Sequence, residues 1–125
     1  QLEKLPGMNE SRREVAQRYI DAIEEIDGLR WVGEEDDRKE HVFHLFVVEV
    51  LDEYSLTRNE LYNHLAERDI ITGVHYPALS ELSYYADVVG EYEHAEELSD
   101  RILSLPMFPN MDPETQDRVI DALRV

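Results

Sequence analysis

The ten residues His41-Val42-Phe43-His44-Leu45-Phe46-Val47-Val48-Glu49-Val50 constrain this chain more than any other stretch. They are rich in Val and Phe, residue types that fit a pleated and half-buried surface. The run is too apolar for a sheet edge, so it predicts an interior strand over residues 41–50 and therefore a sheet around it.

Helical periods flank that strand. Val15, Tyr19, Ala22, Ile23 and Ile26 recur at three- and four-residue steps and predict an amphipathic helix over residues 9–26. Pro6-Gly7 interrupts the pattern ahead of it, which leaves residues 1–5 as a separate helical turn. Gly28 closes the long helix, residues 29–32 form a short strand, and the charged residues 33–40 form a hairpin tip. Thr57 and Glu60 have capping-box spacing and open a helix with Leu61, Leu65 and Ala66 on its apolar stripe. Residues 70–74 return as a strand, which Pro77 ends because it has no amide hydrogen to donate. Residues 79–89 are weakly helical or irregular. A helix over 93–104 turns Ala95, Leu98, Ile102 and Leu103 inward, and residues 105–109 are extended. Asp112-Pro113 starts a last helix that buries Val119, Ile120 and Leu123. The expected fold is α+β, a two-layer sandwich of a small, mainly antiparallel sheet covered by helices.

Charge sets limits on partners. Twenty-nine acidic against twelve basic residues give −17, which argues against nucleic acid and against anionic membranes. The acids are spread along the chain rather than blocked into a tail, as in a solvated shell suited to high salt. A surface for a basic partner and a Ca²⁺-binding tract are the competing readings. With 125 residues there is material for one domain and one core. No cysteine is present, so thiol and disulfide chemistry are excluded. No apolar run is long enough to span a bilayer and no signal peptide is visible, which points to a cytoplasmic protein. The chain starts without Met inside a helical pattern, and is expected to be a fragment.

Few side chains suggest chemistry. His41 and His44 make an H-x-x-H pair, but residues three apart on a strand face opposite ways, so they are a poor metal site. His64 and His94 are expected on helix surfaces. Glu34-Glu35-Asp36-Asp37 lacks the alternating ligands and central glycine of an EF-hand loop. There is no G-x-G-x-x-G and no Walker loop. Thr72-Gly73-Val74-His75-Tyr76-Pro77 stands apart, with an imidazole and a phenol at a strand end, where side chains can reach a ligand. Gly73 is suited to close approach there. A strand simply leaving into a turn, with His75 satisfied locally, is the alternative.

At that segment the sequence resembles the DegT/DnrJ family of pyridoxal 5'-phosphate (PLP)-dependent sugar aminotransferases. Asn59-Glu60-Leu61, Leu65 and Arg68-Asp69-Ile70 are similar to the helix that precedes T-G-V-H-Y-P in that family. Residues 1–5 with 11–19 resemble its interdomain helix, residues 41–48 its H-x-x-H-L-Y/F-V strand, and Ala95-Glu96-Glu97-Leu98 through Leu103-Ser104-Leu105-Pro106-Met107-Phe108-Pro109 its A-E-x-L … L-S-L-P-M-x-P stretch.

The resemblance implies the C-terminal small domain of a fold type I PLP transferase, with residues 1–27 as the interdomain linker helix and 28–125 as the domain. It implies a homodimeric parent that moves an amino group from glutamate to a nucleotide-linked keto-sugar for polysaccharide or amino-sugar synthesis. His75 and Tyr76 match the pair that the family places near the nucleotide sugar. PLP is expected in the full-length parent, on a large domain that is a partner of this one, and not in this fragment. Lys4 and Lys39 are the only lysines and neither has the S-x-x-K context of the PLP lysine, so the fragment is expected to be inactive alone. A free-standing acidic interaction module derived from the same domain is the alternative.

Overall fold

The computed structural model describes residues 2–33, 40–85, 90 and 92–125. A 3-10 turn, Leu2–Lys4, leads into α1, Leu5–Ile23. Pro6 does not break this helix. It occupies the first turn, where its missing N–H would have had no helical partner. Val15, Tyr19 and Ile23 of the expected apolar face are buried, and Ala22 and Ile26 are half-buried. The chain reverses at Gly28, whose φ of 81° favours glycine and whose missing Cβ would lie 2.2 Å from the Tyr54 backbone nitrogen.

The sheet has three antiparallel strands in the order β1-β2-β3, formed by Leu29–Trp31, Phe46–Val50 and Ile102–Leu105. The apolar run does supply the central strand, but only from Phe46 onward. Phe43 sits at φ 47° and its N–H donates to His41 Nδ1, a local turn that takes residues 41–45 out of the ladder. Phe43 is nonetheless buried, with its ring 5.8 Å from that of Trp31. Its apolar character serves a packed loop.

The third strand lies elsewhere than expected. Residues 70–74 make one isolated bridge, Gly73 to Ser104, and the strand that completes the sheet is Ile102–Leu105. The preceding helix, α3 (Glu93–Arg101), stops there because Ile102 already has an extended ψ of 144° and its segment pairs with β2. Within α3 the buried residue is Ser99, whereas Ala95 and Leu98 are exposed.

Phe46, Val48 and Val50 share a core with Leu103 and Leu105 of β3, Tyr19 and Ile23 of α1, Leu61 and Leu65 of α2 (Arg58–Ala66), and Val119, Ile120 and Leu123 of α4 (Pro113–Leu123). The helix starts follow the sequence closely. Thr57 and Glu60 form the capping box of α2, and Asp112 accepts from Thr115 N–H at 2.8 Å at the start of α4. Ala66, expected on the stripe, is exposed. Strand alternation turns Val47, Glu49, Ile102 and Ser104 to the other face of the sheet. There Arg30 of β1 lies across from Glu49 and pairs with its carboxylate.

Candidate functional site

The T-G-V-H-Y-P segment runs along the outer edge of β3. Gly73 N–H donates to Ser104 C=O at 3.1 Å, and Ser104 N–H returns the bond to Gly73 C=O at 2.7 Å. Pairing stops after that exchange. It brings His75 over the sheet face that carries Ser104, and His75 Nδ1 lies 2.9 Å from Ser104 Oγ.

Gly73 has a specific reason to be glycine. No positive φ demands it; a Cβ at this position would lie 2.6 Å from His75 Cε1. The imidazole therefore rests on the space that a side chain would fill. His75 is half-buried, and Tyr76 is 72% exposed with its ring edge-on to the imidazole at 5.1 Å. The peptide bond between the two residues is cis.

Downstream residues tie this segment to α3. Ala78 N–H donates to Ser99 Oγ at 3.1 Å, and Ser99 Oγ donates to Glu81 Oε2 at 3.2 Å. That accounts for the buried serine in α3, and it holds the 3-10 turn Leu79–Glu81 beside the helix; a second such turn, Ser83–Tyr85, follows. Much of the surface here is apolar and exposed, with Tyr76, Leu79, Tyr84 and Tyr92 all more than half accessible. A shallow depression of about 340 Å³ lined by Leu79, Ser80, Tyr92 and Ala95 lies within it.

The other histidines do not join His75. His44 and His94 are exposed. His41 packs on Phe43, ring centroids 4.4 Å apart. His64 differs from its expected surface position. It is partly buried, with Nε2 3.0 Å from Ala122 C=O, and so links α2 to α4. No group of three potential metal ligands occurs among the described residues. Of the hairpin tip expected over residues 33–40, residues 34–39 with the acidic run lie outside them. Two tyrosine phenols are shifted by burial, that of Tyr19 strongly upward and that of Tyr54 to about 12. Both serve the core, since Tyr54 donates to Leu123 C=O at 2.6 Å and Tyr19 to Pro106 C=O at 3.1 Å.

Sequence reasoning singled out His75 and Tyr76, and it did not single out Ser104, which the fold sets beside His75, or Ser99, which bonds the segment just downstream. For Ser104 the available signal was a serine inside the apolar run Ile102–Leu105; Ser99, in a charged helix, gave none. Lys4 is exposed in the N-terminal turn, Lys39 lies outside the described residues, and there is no glycine-rich phosphate cradle in the sequence.

Comparison with known proteins gives a consistent result. The sequence model of the DegT/DnrJ/EryC1/StrS aminotransferase family matches residues 1–124. The spore coat polysaccharide biosynthesis protein SpsC of Bacillus subtilis (strain 168) is 35% identical over 130 residues, covering 99% of this chain and 33% of SpsC. S. venezuelae DesV, solved in complex with a ketimine intermediate, superposes with a TM-score of 0.87 at 31% identity, covering 98% of this chain and 33% of DesV. The aminotransferase TlmJ of Streptoalloteichus hindustanus superposes with a TM-score of 0.89 at 25% identity, over 98% of this chain and 32% of TlmJ. The chain thus spans about a third of the length of these relatives.

Proposed function

The chain belongs to the DegT/DnrJ/EryC1/StrS aminotransferase family, and from this we propose that it is the C-terminal small domain of a PLP-dependent enzyme that transfers an amino group from glutamate to a nucleotide-linked keto-sugar. The observation that carries the proposal is the end of the T-G-V-H-Y-P segment. A half-buried imidazole is fixed by Ser104 and Gly73, and a phenol beside it is open to a ligand. In this reading His75 and Tyr76 hydrogen-bond sugar hydroxyls or diphosphate oxygens, and the rest of the domain positions them and closes over the substrate.

The chemistry belongs to residues elsewhere in the parent enzyme. A lysine must form the covalent link to PLP, and neither Lys4 nor Lys39 has the S-x-x-K context for it. The reading therefore assigns PLP to a large domain that also covers the exposed Tyr76, Leu79, Tyr84 and Tyr92 surface. Residues 1–27 act as the linker helix and 28–125 as the small domain, within a homodimeric parent. SpsC, named for polysaccharide biosynthesis, supports a similar pathway class for the parent. A cytoplasmic location is part of the same proposal; among the described residues no helix is long and apolar enough to cross a membrane.

The test compares two proteins, the chain alone and the full-length protein that contains it. Each is given PLP, glutamate and a panel of nucleotide-linked keto-sugars. Turnover of glutamate by the full-length protein alone is expected. Turnover by the 125-residue chain would overturn the division of labour, and no turnover by either on any keto-sugar would overturn the substrate class.

A further inference from the structure

We infer that Ser104 is a positioning residue that holds His75 in the neutral tautomer with its proton on Nε2, so that the imidazole presents an N–H donor and selects an acceptor oxygen of the substrate, such as a diphosphate oxygen. The inference rests on the substrate-contact reading of His75 given above.

Hydrogen-bond accounting carries the argument. Ser104 is 4% exposed, and its backbone N–H and C=O are both committed to Gly73. Its hydroxyl has one partner among the described residues, His75 Nδ1 at 2.9 Å. A hydroxyl has one proton to give and lone pairs to offer, while a neutral imidazole has one nitrogen of each kind. If Nδ1–H donated to Oγ, the serine proton would be enclosed in the protein without an acceptor, which is the costly arrangement. If Oγ–H donates to Nδ1, the serine proton and the Nδ1 lone pair satisfy each other and the imidazole proton must sit on Nε2.

Nε2 is left available to a ligand. It has no partner among the described residues, and it is not one of the enclosed unpaired atoms, which are Arg12 Nε, Thr72 Oγ1 and Ser80 Oγ. The ring cannot easily turn away, because it rests on the Gly73 backbone and the Tyr76 ring meets it edge-on. Its direction and its proton are thus set by the same neighbours. Diphosphate oxygens only accept hydrogen bonds, so they suit an Nε2–H and would be repelled by an Nε2 lone pair.

Two-bond ¹⁵N–¹H correlation spectra of the His75 ring in this chain, recorded where the ring is neutral, read the tautomer directly. The wild-type chain is expected to show the Nε2–H form. Ser104→Ala should shift the ring to a tautomer mixture, and Ser104→Thr, which keeps the hydroxyl, should restore the wild-type pattern. A wild-type Nδ1–H form, or an unchanged pattern in a folded Ser104→Ala chain, would overturn the inference. If Ser104→Ala fails to fold, the wild-type and Ser104→Thr spectra still decide it.

In the full-length enzyme, Ser104→Ala should raise KM for the nucleotide sugar roughly three- to tenfold with kcat retained. A raised KM in His75→Ala with none in Ser104→Ala removes the positioning role. An unchanged KM in His75→Ala removes the substrate contact instead, while the tautomer assignment stands on the spectra.

Discussion

Replacing Gly73 with alanine separates the stability of the fold from the integrity of the site. The new Cβ would start 2.6 Å from His75 Cε1, and ordinary contact begins at 3.4 Å, so the ring must retreat by about 0.8 Å. Nδ1 is 2.9 Å from Ser104 Oγ, so a retreat of that size away from the backbone strains or breaks the bond. Loss of one such bond costs about 1 kcal/mol. Against it, alanine restricts the unfolded chain and returns about 0.4–1 kcal/mol, because no positive φ forbids it here. The two terms nearly cancel. Gly73→Ala should therefore unfold within about 1 kcal/mol of the wild type in urea titration. Its KM for the nucleotide sugar in the full-length enzyme should still rise, by anything up to ~10²-fold for a displacement of this size. A destabilisation of several kcal/mol would show that the segment, and not the ring alone, depends on glycine. A crystal structure of the Gly73→Ala variant with the imidazole unmoved, together with an unchanged KM, would refute the reasoning.

Other perturbations test the fold and its charge. Thr57→Ala removes the side chain that accepts Glu60 N–H and should cost about 1 kcal/mol in denaturant unfolding. The bonds from Thr57 hold the Glu60 carboxyl below the ordinary value of 4.5, so the stability they bring is present above that value and fades on acidification, and a pH series should show a shallower acid limb in Thr57→Ala. Burial raises Tyr54 from 10.0 to about 12, so the unfolded chain loses its proton first and stability should fall between those values, by at most about 1.4 kcal/mol per pH unit for this residue. Tyr54→Phe should be less stable at neutral pH, without the bond to Leu123, but flatter in that alkaline window. The −17 charge should make the melting temperature rise from ~0.1 M to ~1 M KCl, as the Debye length contracts from about 10 Å to about 3 Å and the repulsion among carboxylates is screened. A flat or falling melting temperature would count against an acidic shell adapted to salt.

Elements whose geometry is set locally were legible in the sequence. The capping box at Thr57, the Asp112-Pro113 start of α4 and the Val15-Tyr19-Ile23 face of α1 each depend on residues within a turn or two of each other, so spacing alone specifies them. The central position of Phe46–Val50 was legible because an apolar strand buried on its core face needs neighbours. The errors came where tertiary contacts decided. Residues 41–45 are as apolar as a strand, yet the turn at Phe43 sends that ring against Trp31. Residues 102–104 continue a helical spacing, yet together with Leu105 they pair with β2 and gain more from the ladder than from another helical turn.

Within the site, His75 and Tyr76 stood out as polar aromatic residues just before a proline. Ser104 did not, because its partner lies 29 positions away in sequence and only the Gly73 bridge brings them together. His64 escaped for the same reason, since the carbonyl it meets belongs to the last helix.

In the proposed function His75 holds the nucleotide sugar for the parent enzyme. Steady-state kinetics of His75→Ala in the full-length protein, with PLP occupancy followed by absorbance, test it most directly. The KM for the nucleotide sugar should rise about tenfold or more with PLP occupancy unchanged. An unchanged KM, or a loss of PLP with the sugar kinetics intact, would contradict it.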